Sequence, residues 1–166
     1  MSVQKFLAYV SGVITQLSPV QTSAGAGSAG NIVALNSSGY IDPTMLQDEA
    51  TTVVTASESI AAGALVNIYN NSGALAVRNA DQTNTAKFTN GFAPTAITNA
   101  ATGTIITNNG IITGLSGLTV GTQYYLGTVG AAVSTAPSAG GSICQTVGVA
   151  LSTTSLAFEI GTVIAL

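Results

Sequence analysis

Apolar and polar positions divide the chain into three zones. In the first, Phe6, Leu7, Val10, Val13, Ile14 and Leu17 recur ahead of Pro19. This spacing fits one face of a helix, yet part of the segment also alternates and β-branched residues are frequent. Either form leaves an arm with one apolar side. Residues 21–30 (QTSAGAGSAG) follow as a flexible spacer of small residues, whose ordering calls for a partner surface. Asn31 to Leu35 then predicts a short strand, residues 36–39 (NSSG) a turn, and Tyr40–Ile41 a returning strand. Asp42 and Pro43 place a capping residue before a proline suited to the first helical position. A single helical turn is therefore expected over 44–47, with Met45 and Leu46 as its apolar contacts. A hairpin plus one turn buries too little to stand alone, so this unit is expected to dock on something.

From Thr51 onward, short β-branched runs are punctuated by turn residues about every 8–12 positions, the rhythm of a sandwich or barrel. The runs are 51–55, 65–69, 75–77, 86–88, 104–107, 111–113, 123–126, 132–134, 143–151, 156–160 and 162–166. Asn70-Asn71-Ser72-Gly73 marks one hairpin loop, and Asn108-Asn109-Gly110 carries the strongest short hairpin signal in the chain. No helix-length period follows residue 51. The expected fold class is all-β. An N-terminal arm, spacer and docking hairpin (1–50) precede a small antiparallel sandwich or barrel domain (51–166).

Composition narrows the possible functions. The 166 residues suffice for one ordinary domain and an extra segment. Only 5% of them are charged, where a soluble domain ordinarily carries about 25%. With 46% hydrophobic residues, this balance argues against intrinsic disorder and for a surface partly covered by partners. Three basic residues, Lys5, Arg78 and Lys87, cannot neutralise a run of phosphates, so no nucleic-acid partner is expected. No apolar run reaches the ~18–20 residues that span a bilayer, so no membrane is expected either. Lys5, the run Phe6 to Val10 and Ala24-Gly25-Ala26 imitate a secretory signal, but Ser11, Gly12, Thr15 and Gln16 break its apolar centre.

Candidate chemistry is sparse. With no histidine and one cysteine, Ser-His-Asp, Cys-His and histidine-based metal arrangements are ruled out. Cys144 lies in an apolar run and reads as a small buried hydrophobe. Asp48 and Glu49 would point to opposite faces of an extended strand, and Glu58, Asp81 and Glu159 read as solvated surface acids. No DxDxDG-type loop supports calcium. Gly25, Gly27 and Gly30 match no phosphate-binding pattern. In Tyr124–Tyr125, one ring is expected to face in and the other out, towards a protein interface. No catalytic residue, metal, cofactor or small-molecule substrate is expected, and the chain reads as a non-enzyme.

The stretch Ser23 to Leu46 (SAGAGSAGNIVALNSSGYIDPTML) is similar to a motif recurring in virion proteins of tailed bacteriophages. In that motif a small-residue spacer precedes a pattern of roughly G-x-I-V-A-L-x-x-x-G-x-I-D-x-S/T-x-L. Gly30, Ile32 to Leu35, Gly39, Ile41, Asp42, Thr44 and Leu46 fit it. Asn31 departs from it, since a charged residue is common there. Ala56 to Arg78, Gly114 to Leu126 and Val147 to Ile160 resemble the β domain of phage head-decoration (capsid cement) proteins. The resemblance implies a homotrimer on the outer capsid surface, bound to the major capsid protein and bridging its subunits mechanically. It places the contact with capsid or neighbouring subunit on Phe6, Leu7, Tyr9, Val10, Ile32, Val33, Leu35, Tyr40, Ile41, Asp42, Pro43, Met45 and Leu46. The alternative is a phage tail-fibre or receptor-binding module, although a long repetitive shaft is lacking. A secreted adhesin is a third reading, disfavoured by the broken signal segment.

Overall fold

The computed structural model describes residues 5–42, 45 and 51–166. The chain divides into two compact units, residues 1–47 and 48–166.

The N-terminal unit opens with an antiparallel hairpin of β1 (Phe6–Val10) and β2 (Val13–Leu17), paired from Phe6↔Leu17 to Val10↔Val13. Ser11 and Gly12 reverse the chain with φ of 51° and 86°. Two positive φ values make a type I′ turn, whose twist matches that of the flanking strands. This resolves the helix-or-strand ambiguity: a helix would carry Ser-Gly at its centre, whereas the hairpin uses it as the turn. The Gly/Ser/Ala run is no open spacer. It contains a 3₁₀ turn, Gly25–Ser28, and loops back so that Val20 bridges Val33 in parallel. The Val20 amide donates to the Ile32 carbonyl (2.9 Å), the Ala34 amide to that of Val20 (2.8 Å), and Gln21 Nε2 to that of Leu35 (2.8 Å). These bonds use the backbone that was expected to pair with Tyr40–Ile41. The expected second hairpin is thereby reduced to a turn. In it Asn36 Oδ1 accepts from the Ser38 and Tyr40 amides, and the Asn36 amide donates to the Tyr40 carbonyl. Most of the helical turn expected after Asp42 lies outside the described residues.

In the second unit, β3 (Thr51–Ala56), β4 (Leu65–Asn71), β5 (Ala74–Asn79), β6 (Gly91–Phe92) and β7 (Thr102–Ile106) close into a barrel of order β3-β5-β4-β6-β7. The β3–β5 pair is parallel and the other pairs are antiparallel. The remaining strands are β8 (Gly110–Ile112), β9 (Gln123–Leu126), β10 (Ala132–Val133), β11 (Ile143–Cys144), β12 (Thr146–Ala150), β13 (Leu156–Phe158) and β14 (Ile164–Ala165). Five of them form an antiparallel sheet of order β10-β9-β12-β13-β8, and β11 pairs with β14. The fold is all-β and contains the expected barrel, with one parallel pair in it and further sheets added.

The predicted β4–β5 hairpin forms, with Ser72 and Gly73 at φ 54° and 94° in a second type I′ turn. The Asn-Gly hairpin does not. None of Asn108, Asn109 and Gly110 has a positive φ; β7 stays in the barrel while β8 crosses to pair with β13. Gly110 serves close approach instead: a Cβ there would lie 3.1 Å from Phe92 Cε1 and 3.3 Å from Ile106 Cγ2. Residues 86–88 form no strand either. Their backbone is engaged locally, Lys87 through its amide to Asn84 and its carbonyl to Asp81.

Adjacent residues on the barrel strands face two different cores, as strand alternation requires. Val54, Val66, Val77, Ala93 and Ile105 fill one cluster together with Ile60 and Ile97. Their neighbours Leu65, Phe92 and Ile106 join Ile112, Leu126, Val147, Leu156 and Phe158 in the other, which ties the barrel to the sheet. There Phe92 and Phe158 meet edge to face, with ring centroids 5.1 Å apart. One buried polar side chain spans the same junction. Gln145 Oε1 accepts from the Thr89 amide (2.8 Å) and its Nε2 donates to the Thr89 carbonyl (3.1 Å).

Candidate functional site

Among the described residues, the N-terminal unit lacks the buried core that the second unit has. No residue of known burial in 5–45 is buried, and none enters either core. Its apolar side chains face outward instead. Leu7 is 73% exposed, Ile14 69%, Val13 63% and Tyr40 72%, and Ile32, Val33, Leu35 and Ile41 are each about half exposed. Pairing sets the faces of the hairpin: Leu7, Gln16 and Ile14 share one, while Phe6, Leu17, Ala8, Thr15 and Val13 share the other. Both faces are thus apolar, unlike a solvated hairpin, in which one face is polar.

Charge sharpens this picture. No charged residue occurs between Lys5 and Asp42, so the whole exposed apolar stretch is formally neutral. Phe6, Asp42 and Met45 are half-buried, and the Asp42 carbonyl accepts from the Met45 amide (2.9 Å). Tyr9 and Val10 lie in register with Ile14 and Val13. Pro43 and Leu46 lie outside the described residues. Val13 and Ile14, outside the expected contact set, are nearly as exposed as Leu7, and they stand in the same apolar series as Phe6 and Leu7. Only the hairpin pairing shows that they lie beside Tyr9, Val10 and each other.

Three charged groups of the second unit, Glu58, Arg78 and Asp81, have structural partners. Glu58 Oε1 accepts from the Asn79 amide (2.6 Å) and from Asn79 Nδ2 (2.9 Å). Arg78 stacks 4.0 Å over the Tyr69 ring and donates to Asn67 Oδ1 (2.9 Å) and the Ala86 carbonyl (3.0 Å). Partial burial pushes the Asp81 carboxyl up. The Thr83 hydroxyl and amide, the Val129 amide and the Lys87 charge outweigh that effect, holding it below the ordinary value. Asp48 and Glu49 lie outside the described residues. Among the described residues, no three of His, Cys, Asp and Glu gather as metal ligands would.

Cys144 is half-buried on β11 opposite Ile164, more open than its apolar neighbours suggested. Tyr124 faces in, its hydroxyl accepting from the Thr119 amide (3.0 Å), and Tyr125 faces out, as alternation required. A cleft of about 610 Å³ is bordered by Gln82, Leu118, Tyr124, Ala132, Pro137 and Ser142. It brings hydroxyls and apolar carbons together without a nucleophile beside a base.

No protein-family model and no curated protein sequence matches this chain. Among solved structures, it is similar to the N base of the head fiber gp8.5 of bacteriophage phi29. The TM-score is 0.45 at 15% identity, over 69% of this chain and 88% of that one.

Proposed function

We propose that this chain is a structural virion protein of a tailed bacteriophage, one that decorates the capsid and bridges its major subunits without catalysing a reaction. The observation that carries this reading is the contrast between the two units. Residues 51–166 own two apolar cores and fold around them. The N-terminal unit, which bears the phage-like motif, has none among its described residues and exposes most of its large apolar side chains. A segment of that kind gains its stability from what it is laid against. Burying one Leu or Ile side chain contributes about 1.5–3 kcal/mol, so a few such contacts give a useful affinity even after ordering costs. Repeated over a symmetric shell, weak contacts hold through multivalency. The free edges of β1 and β2 can extend a partner's sheet and satisfy their backbone groups there.

The test is labelling of purified virions with an antibody against this chain, viewed by electron microscopy. Regular label over the heads is the expected result. Label confined to tails would move the protein to a fibre role, and unlabelled particles would overturn the virion assignment.

A further inference from the structure

We propose that the cleft on the second unit is a binding site for a neutral sugar. All the residues that border it lie between Gln82 and Ser142, so the inference rests neither on attachment to a particle nor on the N-terminal unit.

The cleft, about 610 Å³, is of the size that holds small molecules. Its floor is fixed by the fold. Leu118 and Tyr124 belong to the core that ties the barrel to the sheet, and the Tyr124 hydroxyl is pinned by the Thr119 amide. Ser142 is 7% exposed, its amide held by the Ala139 carbonyl and its carbonyl by the Leu166 amide. The Gln82 backbone is clamped likewise, its amide on the Gly127 carbonyl (2.9 Å) and its carbonyl under the Ile143 amide (2.8 Å). Its side chain is not. Gln82 Oε1 is buried and receives no hydrogen bond from any described residue. A buried acceptor without a donor is costly, and native folds seldom leave one without a use. The last torsion of a glutamine is soft, so a small rotation brings this oxygen to a donor entering the cleft.

The lining selects the ligand. Among the described residues that border the cleft, none is charged. Asp81, next to Gln82, turns its carboxyl to the Thr83 and Val129 amides instead. An anion would find no cation there and a cation no carboxylate, and an unpaired charge is costly to desolvate. The exposed rim carries the hydroxyls of Ser116, Ser134, Thr135 and Ser138, each able to donate and to accept. Pro137 adds carbon surface to that of Leu118. A wholly apolar ligand would desolvate Ser142 and Gln82 without pairing them. A protein partner is held chiefly by exposed aromatic, Met and Arg side chains, and the cleft has only Tyr124, 5% exposed. A sugar ring matches this lining, with hydroxyls at its edge that donate and accept, and C–H groups on its faces for Pro137 and Leu118. No spacing motif announces the set, because its residues come from separate segments that the fold brings together.

The test is saturation-transfer NMR on the full-length protein with the methyl glycosides of glucose, galactose, mannose, rhamnose and N-acetylglucosamine, and with sodium glucuronate as the anionic control. Transfer to at least one neutral glycoside is expected, with a Kd in the millimolar range that a few neutral hydrogen bonds supply. Transfer to none of them would overturn the inference, and so would equal transfer to glucuronate. Two variants locate the site. Thr135→Trp sets an indole on the exposed rim, outside both cores, and is expected to abolish transfer. Gln82→Met keeps the length of the side chain without its acceptor and is expected to weaken binding about fivefold, the worth of one hydrogen bond. Undiminished binding by either variant would count against the cleft. Amide shifts of wild type remove any dependence on how the variants fold. Those of Ser134 to Ser142 are expected to move with the bound glycoside, and shifts confined to other segments would overturn the assignment. Virion labelling is indifferent to the result, so the two readings fall separately.

Discussion

Gln145 offers the most quantitative test of how the second unit holds together. It is 1% exposed, and its amide makes a reciprocal pair with the backbone of Thr89, itself 1% exposed and 56 positions away in sequence. Replacing it by Leu keeps the volume but leaves a buried N–H and a buried C=O without their partner. Each orphaned group costs about 1–3 kcal/mol. The leucine recovers roughly 1–2 kcal/mol through its apolar burial, so the net loss centres on about 2.5 kcal/mol. For a domain of this size that is roughly 10–15 °C in melting temperature. Thermal or urea unfolding at fixed protein concentration checks it. A loss within about 0.5 kcal/mol of zero, the range of an ordinary surface change, would refute the reasoning. Gln145→Glu sharpens the test. The new carboxyl accepts from the Thr89 amide but, when ionised, faces the Thr89 carbonyl without a proton to donate. Burial and that carbonyl raise its folded pKa above the unfolded value of about 4.3. Its stability is therefore near wild type below pH ~4 and is lost as pH rises through the raised folded value. A deficit that stays flat between pH 4 and 7 would show that the Thr89 pair is not what the side chain supplies.

Other consequences can be checked with less machinery. At Gly148, φ is 140° and an added Cβ would collide with the Ala157 carbonyl, so Gly148→Ala is expected to cost at least about 3 kcal/mol in denaturant unfolding. Asp81 has its folded pKa lowered below 3.8, so its contribution is present at neutral pH and fades as pH falls below that value. Asp81→Asn is expected to be less stable than wild type at pH 7 and to converge with it as pH falls below the lowered folded value, as followed by thermal melts. Deleting residues 1–20 is expected to leave the β-domain melting intact but to weaken cosedimentation with capsids by tenfold or more, as loss of avidity would. Ile41→Asp, a charge placed in a contact surface, is expected to do the same without changing the melt. Full binding by both variants would mean that the N-terminal unit is not the attachment site.

The β-branched runs made most strands of the second unit legible, because sheet positions with one buried face select those residues. What failed was pairing. Asn108-Asn109-Gly110 has the composition of a tight hairpin, yet β7 finds β3 and β6 while β8 finds β13. The local signal was overridden by one core that takes Ile106 and Ile112 from strands with different pairing partners, and by the fit of Phe92 against Gly110. β6, two residues long, carries no pattern by which a sequence could announce it. In the N-terminal unit the apolar series was legible and its conformation was not. Helix and strand spacing overlapped, and Ser11-Gly12 decided between them. The loop over 21–30 was hidden because backbone bonds at Val20 and the Gln21 side-chain amide on the Leu35 carbonyl close it, and no apolar pattern encodes those.

The distribution of charge connects these pieces to assembly. Glu58, Arg78, Asp81 and Lys87 fall within 30 residues, and after Lys87 only Glu159 is charged. Glu58, Arg78 and Asp81 are held by hydrogen bonds within the fold. They orient loops, such as the Asp81 carboxyl on Thr83, and are poorly placed to keep separate molecules apart by repulsion. A monomer meant to stay free in solution needs that repulsion. A subunit meant to sit among many neighbours does better without it, because each formal charge in a contact must be desolvated and paired. Hydroxyl and amide side chains then carry the exposed surface, and they hydrogen-bond without a net field. On the proposed function, a β domain stabilised by its own cores can fold before it finds its neighbours, while the neutral apolar segment, whose described residues have no core, gains burial at the moment of contact. The exposed stretch should therefore be the part of the molecule whose hydrogen-exchange protection changes most on assembly, with Leu65, Leu126 and Val147 in the β domain protected before and after.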